Sequence, residues 1–402
     1  MPVATQVVSG ERADDKLYIP AIQQVSVSLD EHGLLYVGDC KMAALSTRAF
    51  IQHSQDYYLC PLSDTQVPEE TLKAYLQPVW SGEQALEIME RKNADGQMEQ
   101  IAAGYEQELD LSAEVNGETV PWCERRLIVR SFQHTHSAEA ALCARLAKAQ
   151  SALKELNEPK QGKERLENAA SMQAAADKIL QQYGVKGLVR LNITEEHTER
   201  QVRAYGDHPA RTEIQTAVIL QADVDEQAVQ DTIGWFGWRV YVTNQSKAIL
   251  PLGQAVLAYR QEYRVERGFG RLKGKPLSIS PMYLQSDERA TGLVRLLSIG
   301  LRMLTLIEHR VRQQLADLNE KLPGLYAGNP KRATDRPTAE AMLRAFKGIY
   351  LSVVTLGEQV LYHVSPLTEV QGKILSLLDF SVDIYSKLTV GFPKPAGKMA
   401  EP

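Results

Sequence analysis

At 402 residues with a formal net charge of −5, the chain is long enough for two or three domains and carries no bulk positive charge to coat a polyanion. Its 44% apolar and 24% charged content is that of an ordinary globular protein, which excludes collagenous and disordered classes. No run reaches the roughly 18 consecutive apolar residues of a membrane span, and no basic-then-apolar leader is visible, so a cytoplasmic location without a membrane partner is expected.

Residues 1–17 are polar, with Gly10, Asp14 and Asp15 marking a turn. Ile22, Val25 and Leu29 predict a helix over 18–32, with Gly33 just past its end. Residues 34–38 read as a short buried strand followed at once by Asp39. An Ala-containing helix over 42–53 and a second strand over 56–60 complete an α/β pattern with a parallel sheet. Functional groups of open α/β sheets gather at carboxyl ends of strands, where Asp39 sits. The same position suits an N-cap of the next helix, and both readings stand.

Residues 61–120 hold thirteen acids and three bases. Helices are predicted over 69–76 and 82–92. Asn116-Gly117 between two alternating runs predicts a hairpin. Helical runs over 138–156 and 166–183, split by a charged break at 158–164, suggest an αα-hairpin. Strands over 187–193, 200–204 and 212–221 suggest an antiparallel sheet with one wet face. Cys40, Cys60, Cys123 and Cys143 form no CxxC pair, which argues against zinc. His134 and His136 read as a polar loop before a helix or, less naturally, as a metal pair.

A strand over 237–243 precedes the richest stretch of the chain. Residues 239–275 hold eight bases and two acids. Within a predicted helix over 259–273, Tyr259, Glu266 and Lys273 are spaced seven apart, nearly two helical turns, and share a side. Glu262 falls near them. Leu252, Val256, Tyr259 and Tyr263 flank that line on one side and Val265, Phe269 and Leu272 on the other, so Glu266 is expected to be half-buried and to need a partner or a metal. Arg260, Arg264, Arg267 and Arg271 form a separate basic ridge suited to phosphate. The other reading is an amphipathic helix with a salt-bridged, solvated face. A long helix over 293–318 mixes Arg295, Arg302, Arg310 and Arg312 with core leucines. A basic Gly/Pro loop over 321–336, a helix over 337–346, a strand over 348–354 and a helix over 369–378 follow.

The Tyr259–Glu266–Lys273 run resembles the Tyr–Arg–Glu–Lys signature of bacterial insertion-sequence transposases of the DDE class, in the insertion-sequence-four-like superfamily. The signature's Arg position holds Glu262 here, flanked by Arg260 and Arg264. The Y-V-G-D-C-K-M segment ending in Met42 resembles the strand-end motif of the family's second catalytic Asp, and W-R-V-Y-V-T-N resembles the last core strand before the Glu helix. The likeness runs from about residue 7 to about residue 378.

The resemblance implies an α/β, ribonuclease-H-like core in residues 1–62 and 237–320. A large mixed α and antiparallel-β insertion over 63–236 would interrupt it, and a helical C-terminal region over 321–402 would follow. It implies cut-and-paste DNA transposition by two-metal phosphoryl transfer. Asp39 and Glu266 would be catalytic and metal-binding, with two Mg²⁺ or Mn²⁺ ions. Tyr259, Arg260, Arg264, Arg267, Arg271 and Lys273 would contact double-stranded DNA at transposon ends. It implies a homodimer or pairing with a full-length transposase, associated with the nucleoid. The first catalytic Asp has no counterpart; Asp14 and Asp15 lie in a polar turn. The expectation is an N-terminally truncated, catalytically inactive polypeptide or, alternatively, a non-catalytic DNA-binding or inhibitory remnant.

Overall fold

The computed structural model describes residues 2–8, 11–93, 96–158, 168–202, 211–329, 331–357 and 359–389. The expected charged break at 158–164, the end of the strand at 200–204 and the C-terminal tail lie largely or wholly outside these residues. The chain is mixed α/β and divides into two compact units, residues 31–260 and residues 1–30 with 261–402.

The first elements are a 3₁₀ turn, Asp14–Leu17, and helix α1, Tyr18–Leu29. The helix stops at Asp30, which is left-handed at φ 52° and returns its amide to the Ser26 carbonyl, three residues before the Gly33 stop signal. Strand β1, Leu35–Val37, is followed by helix α2, Leu45–His53, and strand β2, Tyr57–Pro61. β1 and β2 pair in parallel, as the α/β pattern predicts. β1 is an edge strand, however, with Leu35 and Val37 exposed, so its apolar run does not mark burial. β2 is covered on both faces: Tyr58, Leu59 and Cys60 are successive and all buried.

Helix α3, Glu69–Trp80, continues through Pro78. Strands β3, Glu87–Lys92, β4, Met98–Val115, and β5, Glu118–Ser131, then extend the same sheet. The helix expected over 82–92 is therefore partly a strand: the ladder to β4 overrides the helix-forming Leu, Glu and Met side chains. The β4–β5 hairpin turns at Asn116 and Gly117, φ 54° and 86°, the two positive φ values of a type I′ turn.

Helix α4, Phe132–Lys154, and helix α5, Ala169–Tyr183, match the two predicted helical runs. His134 and His136 lie in the first turn of α4 rather than in a loop; two residues apart on a helix, they point away from one another. Strands β6, Val189–Val202, and β7, Arg211–Val224, form a separate two-stranded antiparallel sheet, and helix α6, Glu226–Gly234, follows. Leu142, Leu153, Met172, Leu180, Leu220 and Val229 give this group its own core. The 63–236 segment thus has two fates: β3, β4 and β5 join the main sheet, and α4 to α6 pack with β6 and β7 around that second core.

Strand β8, Trp238–Thr243, completes the main sheet, ordered β1-β2-β8-β5-β4-β3. Among the described strands of this sheet only β1 and β2 pair in parallel; β8 runs antiparallel to both β2 and β5. Helix α7, Leu252–Tyr259, covers one face through Leu252, Ala255 and Val256 against Leu59, Leu127 and Val129. Gly237, the turn residue just before β8, has φ 81°, and a Cβ there would meet the Thr135 hydroxyl and lie 2.8 Å from the Ser131 carbonyl. Gly237→Ala is expected to destabilise this unit by about 2 kcal/mol through strain and overpacking, read as a lower urea midpoint by tryptophan fluorescence.

The other unit continues with helix α8, Tyr263–Lys273, and helix α9, Asp287–Asp317. Helix α10, Ala339–Ala345, strands β9, Leu351–Leu356, and β10, Gln359–Val364, helix α11, Glu369–Leu377, and the short helix α12, Asp383–Ser386, complete it. Val311, Leu315, Leu322, Met342, Ile374 and Leu377 form its core. The opposite face of α9 exposes Leu296, Ile299, Met303 and Leu306. With apolar residues on both faces, α9 is long and apolar enough to cross a membrane by length and composition, although no uninterrupted apolar run marks it in the sequence. Arg295 and Arg302 interrupt that apolar character.

Candidate functional site

Asp39 stands just beyond the carboxyl end of β1, where the Gly38 amide still bonds to the Leu59 carbonyl at 3.2 Å. It is exposed, and its Oδ1 accepts the Lys41 amide at 2.8 Å. Its carbonyl accepts from the Met42 amide at 3.1 Å, closing a turn before α2. The N-cap of α2 is Ala44, so Asp39 shapes its own turn and does not cap the helix. This removes one of the two sequence readings.

The predicted helix over 259–273 is not continuous. α7 ends at Tyr259, a 3₁₀ turn occupies Arg260–Glu262, and α8 starts at Tyr263. A 3₁₀ turn advances each residue by about 120° instead of about 100°, so the helical wheel that set Glu262 beside Glu266 loses its phase there. The two sides of the turn also belong to different units. Tyr259 packs into the sheet unit against Tyr241, ring centroids 4.8 Å apart. Arg260 is half-buried and donates to the Ile101 carbonyl at 3.0 Å and to the Ser131 hydroxyl at 3.2 Å. Its guanidinium therefore tethers α7 to the sheet.

Glu266 and Lys273 both lie on α8, seven residues apart and on one side. Glu266 is exposed, not half-buried, because its apolar neighbours Tyr263, Val265 and Phe269 are themselves more than half exposed. The Lys273 ammonium sits 6.0 Å from the Phe269 ring centre.

The basic ridge of α8 is organised by a buried acid on α9. Glu308 is 4% exposed and pairs with Arg271, with Arg312 and, at 2.7 Å, with Arg267. Glu340 on α10 binds Arg271 a second time at 2.8 Å. Burial raises the Glu308 pKa, but the Arg271 hydrogen bond and the charges of Arg312, Arg271 and Arg267 outweigh it and hold the carboxyl below its ordinary range. Arg271 is thus committed to internal pairs, with its side chain only 10% exposed. Arg267 is 40% exposed and Arg264 is exposed. A hydrogen bond from Arg264, with the charges of Arg264, Arg336 and Arg267, lowers the Tyr263 hydroxyl pKa despite slight burial. Tyr263, Arg264, Arg267 and Arg336 therefore share one positive field on this unit. The sequence reading missed Glu308, Glu340 and Arg336 as members of it.

A second buried network lies in the sheet unit and was also missed. Glu124 on β5 is fully buried; its Oε2 accepts from Arg48 of α2 and, at 2.7 Å, from the Tyr58 hydroxyl. The Trp122 indole donates to that hydroxyl at 2.9 Å.

Among the described residues, no three His, Cys, Asp or Glu side chains come together in a group that could hold a metal ion. Asp39 and Glu266 offer the hard oxygen donors that Mg²⁺ prefers, one on each unit. Two carboxylates do not make up the ligand set of a two-metal site. No family model and no curated protein matches the chain.

Proposed function

We propose that the chain is a polypeptide of the DDE transposase class that binds duplex DNA and does not cut or join it alone. The observation that carries this reading is Asp39 at the carboxyl end of β1, beside the parallel β2. The order of elements supports it. After β2 the chain adds β3, β4 and β5 to the same sheet and then the α4–α6 group, before β8, α7 and α8 follow, and α8 bears Glu266 and Lys273. In this reading the parallel β1–β2 pair is part of a ribonuclease-H-like core, with Asp39 and Glu266 as carboxylates toward Mg²⁺ or Mn²⁺. Arg264, Arg267 and Lys273 contact DNA phosphates, whereas Arg271 braces α8 through Glu308 and Glu340, and Tyr259 and Arg260 hold α7 to the sheet. Inactivity follows from a donor set of two carboxylates.

Two assays test the proposal. Incubated with supercoiled plasmid and Mg²⁺, the purified chain is expected to leave the plasmid uncut and unjoined; efficient strand transfer would overturn the inactive assignment. A fluorescent duplex is expected to bind with a steep salt dependence. Arg264→Gln and Lys273→Gln should each lower the slope of log K against log salt by about 1. An unchanged slope in both variants would remove α8 as the DNA-facing element.

A further inference from the structure

The turn that presents Asp39 is held from behind by an arginine buried in the sheet unit. Arg48 Nε donates to the Ala43 carbonyl at 3.0 Å, and another nitrogen of the same guanidinium binds Glu124. Ala43 and Met42 are buried, at 0% and 2% exposure. The Ala43 carbonyl also accepts from Gln66 Nε2 at 2.8 Å. At the other end of the turn, the Asp39 carbonyl takes the Met42 amide and its carboxylate takes the Lys41 amide. A connected path thus runs from β5 through Glu124, Arg48 and the Ala43 carbonyl to the residue at the end of β1.

We infer that Arg48 is a positioning residue for Asp39, fixing the 39–44 turn to the sheet by bridging the Ala43 carbonyl and the Glu124 carboxylate. A planar guanidinium reaches both acceptors at once in a fixed geometry; a lysine ammonium has no such fork. The claim that Asp39 acts on DNA rests on the transposase-class reading. The claim that Arg48 holds its turn does not, and the two fail separately, because the measurements below need neither DNA nor metal.

The test uses the full chain and amide hydrogen exchange. In Arg48→Lys, amides of residues 41–43 are expected to exchange about tenfold faster, in line with loss of a buried hydrogen bond, while the β4–β5 ladder stays protected. The Lys41 amide resonance, which reports its bond to the Asp39 carboxylate, should move toward its position in an Asp39→Ala chain. Gln66→Ala removes the second donor to the Ala43 carbonyl from an exposed position and should speed the same amides about threefold. If Arg48→Lys does not fold, unchanged exchange of these amides in Gln66→Ala overturns the inference that bonds to the Ala43 carbonyl hold the turn. Unchanged exchange of residues 41–43, acceleration spread evenly over the sheet, or a Lys41 resonance that stays in place would overturn the inference.

Discussion

Glu308→Leu is expected to lower the stability of the unit built from residues 1–30 and 261–402 by about 3 kcal/mol, the low end for a broken buried ion pair. Glu308 is the shared acceptor of Arg267, Arg271 and Arg312. Arg267 can turn outward on losing it, but Arg271 cannot, with only Glu340 left to it. All four tryptophans lie between residues 31 and 260, so the two units carry different reporters. The expected signature is a lower melting midpoint by far-ultraviolet circular dichroism with an unchanged midpoint by tryptophan fluorescence. Equal shifts in both signals, or in neither, would refute it.

The same residue sets a pH dependence. Its carboxyl is held below its ordinary range in the folded chain, so the folded form binds the proton less readily than the unfolded one. Its contribution is complete above the unfolded carboxylate value of about 4.3 and is lost as pH falls through the lower folded value. Acid should therefore melt this unit with Glu308 as one cause. Glu308→Gln should flatten the dependence below about pH 4.3, measured as midpoint against pH by circular dichroism.

Glu124→Leu should be the most damaging single change in the sheet unit, at about 3–5 kcal/mol. It strands the Arg48 guanidinium, whose side chain is 7% exposed, and removes the acceptor of the Tyr58 hydroxyl. Here the tryptophan signal should move, since Trp122 bonds to that hydroxyl. Pairing the change with Arg48→Met removes the close pair and leaves only Arg126, 3.6 Å from the same carboxylate and bonded to the Tyr75 hydroxyl, so much of the lost stability should return, as when buried ion pairs are replaced by apolar groups. A double variant no more stable than Glu124→Leu would mean that the loss does not come from the stranded Arg48 charge.

Local chemistry explains what was legible in the sequence. The Asn116-Gly117 turn, the strand–Asp39–helix–strand order and the helices α4, α5, α9 and α11 are written in neighbouring residues. The segment from Glu87 to Lys92 hides its state, because its side chains favour helix while its backbone bonds to β4. The helix over 259–273 was read as one because its apolar and charged periods continue across a 3₁₀ turn that leaves no composition signal. Asp39 at a strand end and Arg264 in a basic ridge are legible from their neighbours. The commitment of Arg271 was not, because its partner Glu308 is 37 residues away on another helix. Glu124 was likewise invisible, since nothing near it in the sequence announces Arg48, 76 residues earlier.

The division of the chain also has a consequence for its birth on the ribosome. Residues 1–30, including α1, belong with residues 261–402, and the whole of residues 31–260 is synthesised between them. At about 5–20 residues per second, the first segment waits on the order of 10 to 45 seconds for its partner to emerge. Throughout that interval α1 is without the larger part of the unit it belongs to, whereas the sheet unit has its full sequence available as soon as residue 260 clears the exit tunnel. The early segment, not the sheet, is the part of the nascent chain that waits longest for its own unit.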